Sequence, residues 1–220
     1  FLPVRNFAND YHATLNGKNA LKAVLDVLET PETKQRKAFK QLVWHADSVV
    51  KFDDVSFTYE DVKTPTLTHV SFAIHGFQKV GIIGASGSGK STLINLLGGF
   101  LTPDETGHIS LNGQQLPHLS QEVWQRNSLY IPQSPYLFHA TLRENVSFYQ
   151  PNADEAAVKA ACDKAGLTDW IAELPQGLAT MIGEGSRGVS GGQAQRIALA
   201  RACLDDSRKI LLFDEPTAHL

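Results

Sequence analysis

The run Gly84-Ala-Ser-Gly-Ser-Gly-Lys-Ser91 is the strongest indication of fold in this sequence. It fits the pattern G-x-x-x-x-G-K-[ST], it follows the apolar run KVGII, and it precedes a helix-like segment that begins at Lys90. A strand, a glycine-rich turn and a helix in this order predict a phosphate-binding loop. The glycines let backbone N–H groups turn inward, and the helix N-terminus attracts an anion. We therefore predict a buried strand over 79–84 and a helix over 90–97.

The side chains of this loop predict a nucleoside phosphate bound with a magnesium ion. Lys90 supplies a positive charge for the β- and γ-phosphates, and the hydroxyl of Ser91 is a ligand for Mg²⁺. The predicted nucleotide-binding residues of the loop and the following turn are Gly84, Ser86, Gly87, Gly89, Lys90, Ser91 and Thr92.

A second motif places two carboxylates directly after the apolar run KILLF at 209–213. Asp214 is placed to hold Mg²⁺, directly or through water, and Glu215 is placed to take a proton from an attacking water. Strands often end in acidic turns, so this motif gains its meaning from the phosphate loop upstream.

A third motif, Val189-Ser190-Gly191-Gly192-Gln193, opens a helix that continues as AQRIALARA. Consecutive glycines at a helix start expose N–H groups that suit an anion. One nucleotide needs only one loop of this kind, so we expect the second to serve a nucleotide held by another subunit.

Strands and helices alternate along the chain, which predicts an α/β fold with parallel strands. Strand patterns occur in two stretches around Asp53-Asp54 and at 67–74, 108–111, 128–132 and 209–213. Asn112-Gly113 predicts a hairpin turn. Helical patterns cover most of 141–204, with one helix ending near Gly166 and another running from about Gly191 to Leu204.

Composition excludes several classes of protein. A net charge of −3 argues against a nucleic-acid partner. The two cysteines, Cys162 and Cys203, exclude a disulfide scaffold and a zinc ribbon, and we predict both to be packing residues. No apolar run approaches the length of a membrane span.

Residues 1–30 are helix-like up to Pro31, and 31–47 are a linker whose basic residues are Lys34, Arg36, Lys37 and Lys40.

The three motifs, in this order, resemble the nucleotide-binding domain of an ABC transporter over residues 47–220. The resemblance implies a P-loop NTPase with a RecA-like core, an antiparallel β subdomain and a helical subdomain, with ATP and Mg²⁺ as cofactors. It implies that Gln133 contacts Mg²⁺ and water and that Tyr59 stacks on adenine. Two such domains would sandwich two nucleotides, with residues 190–193 of one domain facing the phosphate loop of the other.

Further stretches are similar to the exporter branch of the family, namely 138–146, 180–185 and the N-terminal residues, which resemble the end of a last membrane helix. Together with LETP at 28–31 they look most like CydD-type half-transporters. That subfamily implies a CydC-like partner, or a homodimer as the alternative, and a thiol or haem-related substrate.

The resemblance also implies a domain layout and a location. Residues 1–30 would be the cytoplasmic end of the membrane domain, 31–47 a linker, and 48–220 an ATP-binding domain at the cytoplasmic face of the cell membrane. The family pattern expects an aspartate just after Leu220 and a switch histidine beyond it, so the domain would be incomplete at its C-terminus. His219 does not match that histidine.

Two alternatives stay open. One is a soluble ABC-type ATPase that acts on DNA or ribosomes, and the other is the separate ATP-binding subunit of an importer. The acidic charge argues against the first, and the membrane-helix remnant before Val49 argues against the second.

Overall fold

A computed structural model describes residues 2–29, 42–120, 122–183 and 188–216. The chain divides into two compact units, Phe1–Lys37 and Ala38–Leu220. The helices are α1 (Leu2–Glu29), α2 (Lys90–Gly98), α3 (Glu122–Asn127), α4 (Leu142–Val146), α5 (Glu155–Lys164), α6 (Thr168–Ala172) and α7 (Gly191–Leu204), with a 3₁₀ turn at Gly177–Ala179. The strands are β1 (Val49–Phe57), β2 (Leu67–His75), β3 (His108–Leu111), β4 (Gln114–Leu116), β5 (Ser128–Ile131), β6 (Ala140–Thr141), β7 (Met181–Ile182) and β8 (Ile210–Phe213).

The first unit contains the helix predicted for the N-terminal residues. The apolar positions Leu21, Val24, Leu25 and Leu28 of α1 are all exposed. Within the described ranges, no helix combines the length and the apolar character needed to cross a membrane. The predicted stop at Pro31 and the basic cluster of the linker lie outside the described residues.

An antiparallel sheet in the order β2-β1-β3-β4 begins the second unit, as the resemblance implies for the β subdomain. The β3–β4 hairpin turns through Asn112 and Gly113, with φ angles of 50° and 80°. These are the two left-handed positions of a type I′ turn, which explains the Asn-Gly pair. The core against this sheet includes Phe52, Ile109 and Trp124.

The two strand stretches predicted around Asp53-Asp54 form the single strand β1. Its register against β2 shifts between Phe52 and Val55, and Asp54 has a φ of 57°. The Asp54 N–H bonds to the Ser71 hydroxyl at 2.9 Å. A bulge therefore absorbs the break in alternation while the strand continues.

The parallel pair β5–β8 aligns the two polar loops of the site. Ser128 pairs with Ile210 and Ile131 with Phe213, and the Asp214 N–H donates to the Ile131 carbonyl at 3.0 Å. Because parallel strands end at the same edge of a sheet, the residues after Ile131 and after Phe213 lie side by side.

The strand predicted over 79–84 is not formed. Val80 and Ile82 are exposed, Ile83 is 94% exposed, and among the described strands none pairs with this run. An apolar run becomes a strand only when neighbouring backbone satisfies its hydrogen bonds and other elements cover its side chains. Here α2 and the loop before it are formed without that strand.

The helical region predicted over 141–204 is confirmed. Its core includes Leu142, Val158, Leu167, Ile182 and Ile197, which join α4, α5 and α7. Cys162 is buried as predicted, and burial raises its thiol pKa to about 11. Cys203, however, is exposed, so its prediction as a packing residue is wrong. It lies in the last turn of α7, on a side of the helix that stays accessible to solvent.

Candidate nucleotide-binding site

The phosphate loop ends in glycines whose backbone no other residue adopts easily. Gly87 and Gly89 have φ angles of 78° and 88°, in the left-handed region. A Cβ at Gly89 would lie 2.8 Å from the Leu67 side chain and 3.2 Å from the Thr66 carbonyl. Gly89 is also the N-cap residue of α2 and has no side chain to bond the first-turn N–H groups. These donors therefore suit an anion at the helix start.

The ammonium of Lys90 lies on the loop. Its Nζ donates to the Gly84 carbonyl at 3.1 Å and to the Ala85 carbonyl at 2.9 Å. The Ser88 N–H also donates to Ala85, at 3.2 Å, which closes the turn. Ser86 and Gly87 are exposed at its outer side. The positive charge is thus held at the glycine-rich turn, the place where the sequence predicts phosphate.

A hydrogen bond joins the phosphate loop to the acidic strand end. The Ser91 hydroxyl donates to Asp214 Oδ1 at 3.0 Å across 123 residues of sequence. Asp214 is only 9% exposed, and the Tyr130 hydroxyl donates to its second oxygen at 3.4 Å. Burial and the neighbouring Asp214 raise the pKa of Tyr130, so the phenol stays protonated and can donate. A hydroxyl and a carboxylate side by side are hard oxygen ligands, and they fit Mg²⁺.

The two residues predicted to be catalytic are in direct contact. Gln133 Nε2 donates to Glu215 Oε2 at 3.0 Å. Glu215 has a φ of 48°, an uncommon conformation for a residue with a Cβ. Such backbone strain persists only where the surroundings hold it, and it is often found at functional sites.

Tyr59 and Thr92, both predicted to bind nucleotide, are joined to each other. The Tyr59 hydroxyl and the Thr92 hydroxyl lie 3.1 Å apart, and Thr92 is buried. Tyr59 is 39% exposed, and its ring meets Phe57 edge to face at 4.8 Å between centroids. That hydrogen bond ties the aromatic ring to the first turn of α2.

The third motif forms a helix start that is capped by its own side chains. Ser190 is the N-cap residue of α7, and its hydroxyl accepts from the Gln193 N–H at 3.2 Å. Gln193 Oε1 in turn accepts from the Ser190 N–H at 2.9 Å, which completes a capping box. Gly191 and Gly192 form the first turn between these two residues.

The two exporter-like stretches contact each other. Ala140 pairs with Ile182 and Thr141 with Met181 in the antiparallel β6–β7 pair. The Leu142 N–H donates to the Thr180 carbonyl at 2.9 Å. Residues 184 and 185 of the second stretch lie outside the described residues.

The sequence reasoning missed three polar residues around this centre. Tyr130 bonds Asp214, and Gln195 is buried between the loops that carry Gln133 and Glu215. Arg201 holds the segment after Gln133: its guanidinium donates to the Asn145 carbonyl at 2.6 Å and the Tyr136 carbonyl at 3.0 Å. The sequence does place Gln195 and Arg201 within the apolar part of an amphipathic helix. That position indicates that their side chains form buried hydrogen bonds, but it does not identify the groups that they bond to.

Comparisons with known proteins agree with this geometry. The family model described as ABC transporter matches residues 67–218. The chain is 50% identical over 220 residues to the glutathione/L-cysteine transport system ATP-binding/permease protein CydC of Bacillus subtilis, and 35% identical to CydD of Escherichia coli. All of this chain, but only 37% of each relative, is covered.

A solved structure described as a bacterial Atm1-family ABC exporter with ATP bound has a similar fold. It matches with a TM-score of 0.80 and 35% identity, and the match covers 96% of this chain and 36% of the solved chain. The ABC-type reading of the three motifs is confirmed, and this chain belongs to the ABC transporter family as an ATP-binding domain.

Proposed function

We propose that this chain is the ATP-hydrolysing part of a fused ABC half-transporter that exports a small thiol compound. The single observation that carries the ATPase assignment is the Ser91–Asp214 hydrogen bond, which brings the phosphate loop and the acidic strand end to one point. Neither motif alone would define a site for a nucleotide with its metal ion.

Different residues bind the different parts of ATP and its metal ion in this proposal. The first-turn N–H groups of α2 and Lys90 bind the phosphates, while Tyr59 offers a ring to adenine. Ser91, Asp214 and Gln133 would hold Mg²⁺. When bound, the ion neutralises charge on the phosphate oxygens.

Glu215 acts as the general base in this proposal. Its Oε2 accepts a hydrogen bond from Gln133 Nε2, so Gln133 orients the carboxylate whose other oxygen would receive a proton from water.

The start of α7 serves a nucleotide held by a second domain. Its Ser190–Gln193 segment is well formed without a nucleotide, because the capping box already satisfies its side chains. Two domains facing each other would place this segment against the partner's phosphate loop and close on ATP. The partner is a CydC- or CydD-like half-transporter or a second copy, because the curated relatives named above are these half-transporters.

The extent of the matches favours a fused transporter over the two alternatives. Matches that cover all of this chain, to relatives named ATP-binding/permease proteins, include residues 1–47, which the separate subunit of an importer or a soluble ATPase would not share. The proposed layout is a membrane-domain end at 1–30, a linker at 31–47 and an ATP-binding domain from 48, at the cytoplasmic face of the membrane. The thiol substrate follows the names of the CydC and CydD relatives.

Transport direction needs its own test, because another relative, 36% identical over 220 residues, is named a mycobactin import protein. We would reconstitute the complete protein with its partner in vesicles whose ATP-binding domains face outward. ATP-dependent accumulation of glutathione or cysteine inside these vesicles supports export. Loss of preloaded thiol with ATP, or no movement of thiol at all, contradicts it.

A further inference from the structure

Gln195, in the second turn of α7, joins the two loops that carry the catalytic groups. Its side chain is 3% exposed. Its Nε2 donates to the Gln133 carbonyl at 3.3 Å and to the Glu215 carbonyl at 3.4 Å. One amide therefore spans the backbones of two residues whose own side chains also touch, at 3.0 Å.

The orientation of this amide follows from its surroundings. If oxygen and nitrogen were exchanged, an amide oxygen would face two carbonyl oxygens, and both bonds would be lost. In the orientation present, Oε1 is buried and has no hydrogen-bond partner among the described residues. Burying an unpaired acceptor costs folding free energy. An apolar residue of similar size would avoid that cost but would leave the Gln133 and Glu215 carbonyls without this donor, so the contribution of glutamine here lies in these two bonds.

The hydrogen bond from Gln195 to the Glu215 carbonyl restrains the backbone of Glu215. Glu215 has a φ of 48°, and the preceding residue, Asp214, is fixed by its N–H bond to Ile131. A donor on the Glu215 carbonyl therefore holds the peptide just beyond the last bond of the β5–β8 pair. The direction of that peptide sets where the Glu215 carboxylate points.

We propose that Gln195 is a positioning residue for the hydrolytic reaction. It holds Glu215 and Gln133 in their mutual register and connects them to α7, the helix whose N-cap residue is Ser190. This inference rests on the proposed role of Glu215 as general base. It adds a direct mechanical link from the α7 start, which faces the partner's nucleotide, to the base in the same domain.

The test uses the complete reconstituted protein and four variants. Gln195→Leu keeps the approximate volume and removes the donor, whereas Gln195→Glu keeps the length and places carboxylate oxygens against the two carbonyls. Gln150→Leu is the matched control, because the Gln150 amide donates to Asp205 at the other end of α7, at 3.4 Å. Glu215→Gln measures the base itself.

Both Gln195 variants should lower kcat for ATP hydrolysis by roughly 10- to 100-fold, because small displacements of a catalytic group are costly. The KM for ATP should stay within about twofold of the parent, since the phosphate loop is untouched. The Tm of Gln195→Leu should fall no further than that of Gln150→Leu, whose kcat should match the parent.

Three outcomes would overturn the inference. They are a kcat within twofold of the parent in both Gln195 variants, a raised KM with kcat unchanged, or an equal loss of kcat in Gln150→Leu. If the parent hydrolyses ATP and the Gln195 variants keep its kcat and KM, the positioning role of Gln195 is wrong while the proposed function stands. A Glu215→Gln variant that turns over at the parent rate removes the proposed base and, with it, the need to position it.

Discussion

The helices α2 and α7 both have a glycine at their start, Gly89 as the N-cap of α2 and Gly191 as the first residue of α7, but their first turns are completed in different ways. Gly89 leaves the N–H groups at the start of α2 without a side-chain cap. Ser190 and Gln193 close the start of α7 with a capping box. A capping box stabilises a helix start, whereas an uncapped start leaves its N–H groups for water or an anion. The shape of the α7 start is therefore held by its own side chains, while the N–H groups at the α2 start are left for a ligand.

Charge separates the two helix starts in the same way. Lys90, the first residue of α2, bonds the carbonyls of its own loop. The first residues of α7 are Gly191 and Gly192, which carry no charge. In the proposed arrangement, the α2 start binds phosphate within its own chain, and the α7 start meets a phosphate that a partner domain holds.

The largest expected effect comes from the base beside the α2 site. Glu215→Gln in the complete protein should reduce ATP hydrolysis by roughly 10²- to 10⁴-fold and retain ATP binding, because the amide cannot accept the proton. Phosphate release and nucleotide affinity measure the two properties. Glu173→Gln, an exposed position at the end of α6, is the control and should behave as the parent. A rate within twofold of the parent would move the base elsewhere.

Removing the charge at the open helix start should have the next largest effect. Lys90→Ala should weaken MgATP binding by roughly 10- to 100-fold, which corresponds to the loss of charge-assisted hydrogen bonds. ATP-induced shifts in Tm measure it, because a ligand that binds the folded state stabilises that state. Lys164→Ala, at the exposed last residue of α5, should keep the parent shift. Equal shifts in the two variants would contradict the assignment of the α2 start.

A charge at the capped start should separate binding within one chain from binding across two. Gly192→Asp adds a carboxylate and bulk where the partner's phosphate must approach, so ATP-dependent association should weaken by about tenfold or more. Affinity for nucleotide in the unassociated protein should barely change. Crosslinking of the ATP-bound pair and equilibrium binding distinguish the two. A large loss of affinity without the partner would break the comparison, because the α7 start would then act within its own chain.

The smallest effect should come from the cap itself. Ser190→Ala removes the hydroxyl that accepts from the Gln193 N–H and should cost about 1 kcal/mol of unfolding free energy. Asp154→Ala removes the comparable cap of α5, where Oδ1 accepts from Ala157 at 2.7 Å, and should cost a similar amount. Denaturant unfolding compares them. Only Ser190→Ala should also slow ATP hydrolysis, and an equal slowing in both would reduce the α7 cap to a purely structural role.

Local signals in the sequence were enough for several elements. The Asn112-Gly113 turn, the start of α7 at Gly191 and the end of α5 before Gly166 lie where the residues predict them. Each depends on one backbone preference, a left-handed turn or an N-terminal cap, that neighbouring residues alone can satisfy. The same holds for the phosphate loop, whose glycines predict its conformation directly.

The run at 79–83 shows where local reasoning ends. Its apolar residues predict a buried strand, yet Ile83 is 94% exposed and the described strands leave this run unpaired. A strand needs neighbouring strands for its hydrogen bonds and other elements to cover its side chains. The residues of the run itself do not show whether either is present. The prediction that Cys203 is a packing residue is wrong for a related reason, because an apolar helix pattern does not show which turns of the helix other elements cover.

The sequence alone was enough to predict the motifs of the site and the family. It supplied the phosphate loop, the carboxylates at 214 and 215, the capped helix and the order that identifies the family. Only the tertiary structure decided how these parts meet: Ser91 on Asp214, Gln133 on Glu215, and Gln195 across both loops. The reason is physical. Motifs depend on bonds among neighbours in sequence. The Gln133–Glu215 contact depends instead on the parallel register of β5 and β8, which aligns loops more than 80 residues apart, and the Ser91–Asp214 contact depends on the packing of α2 beside β8.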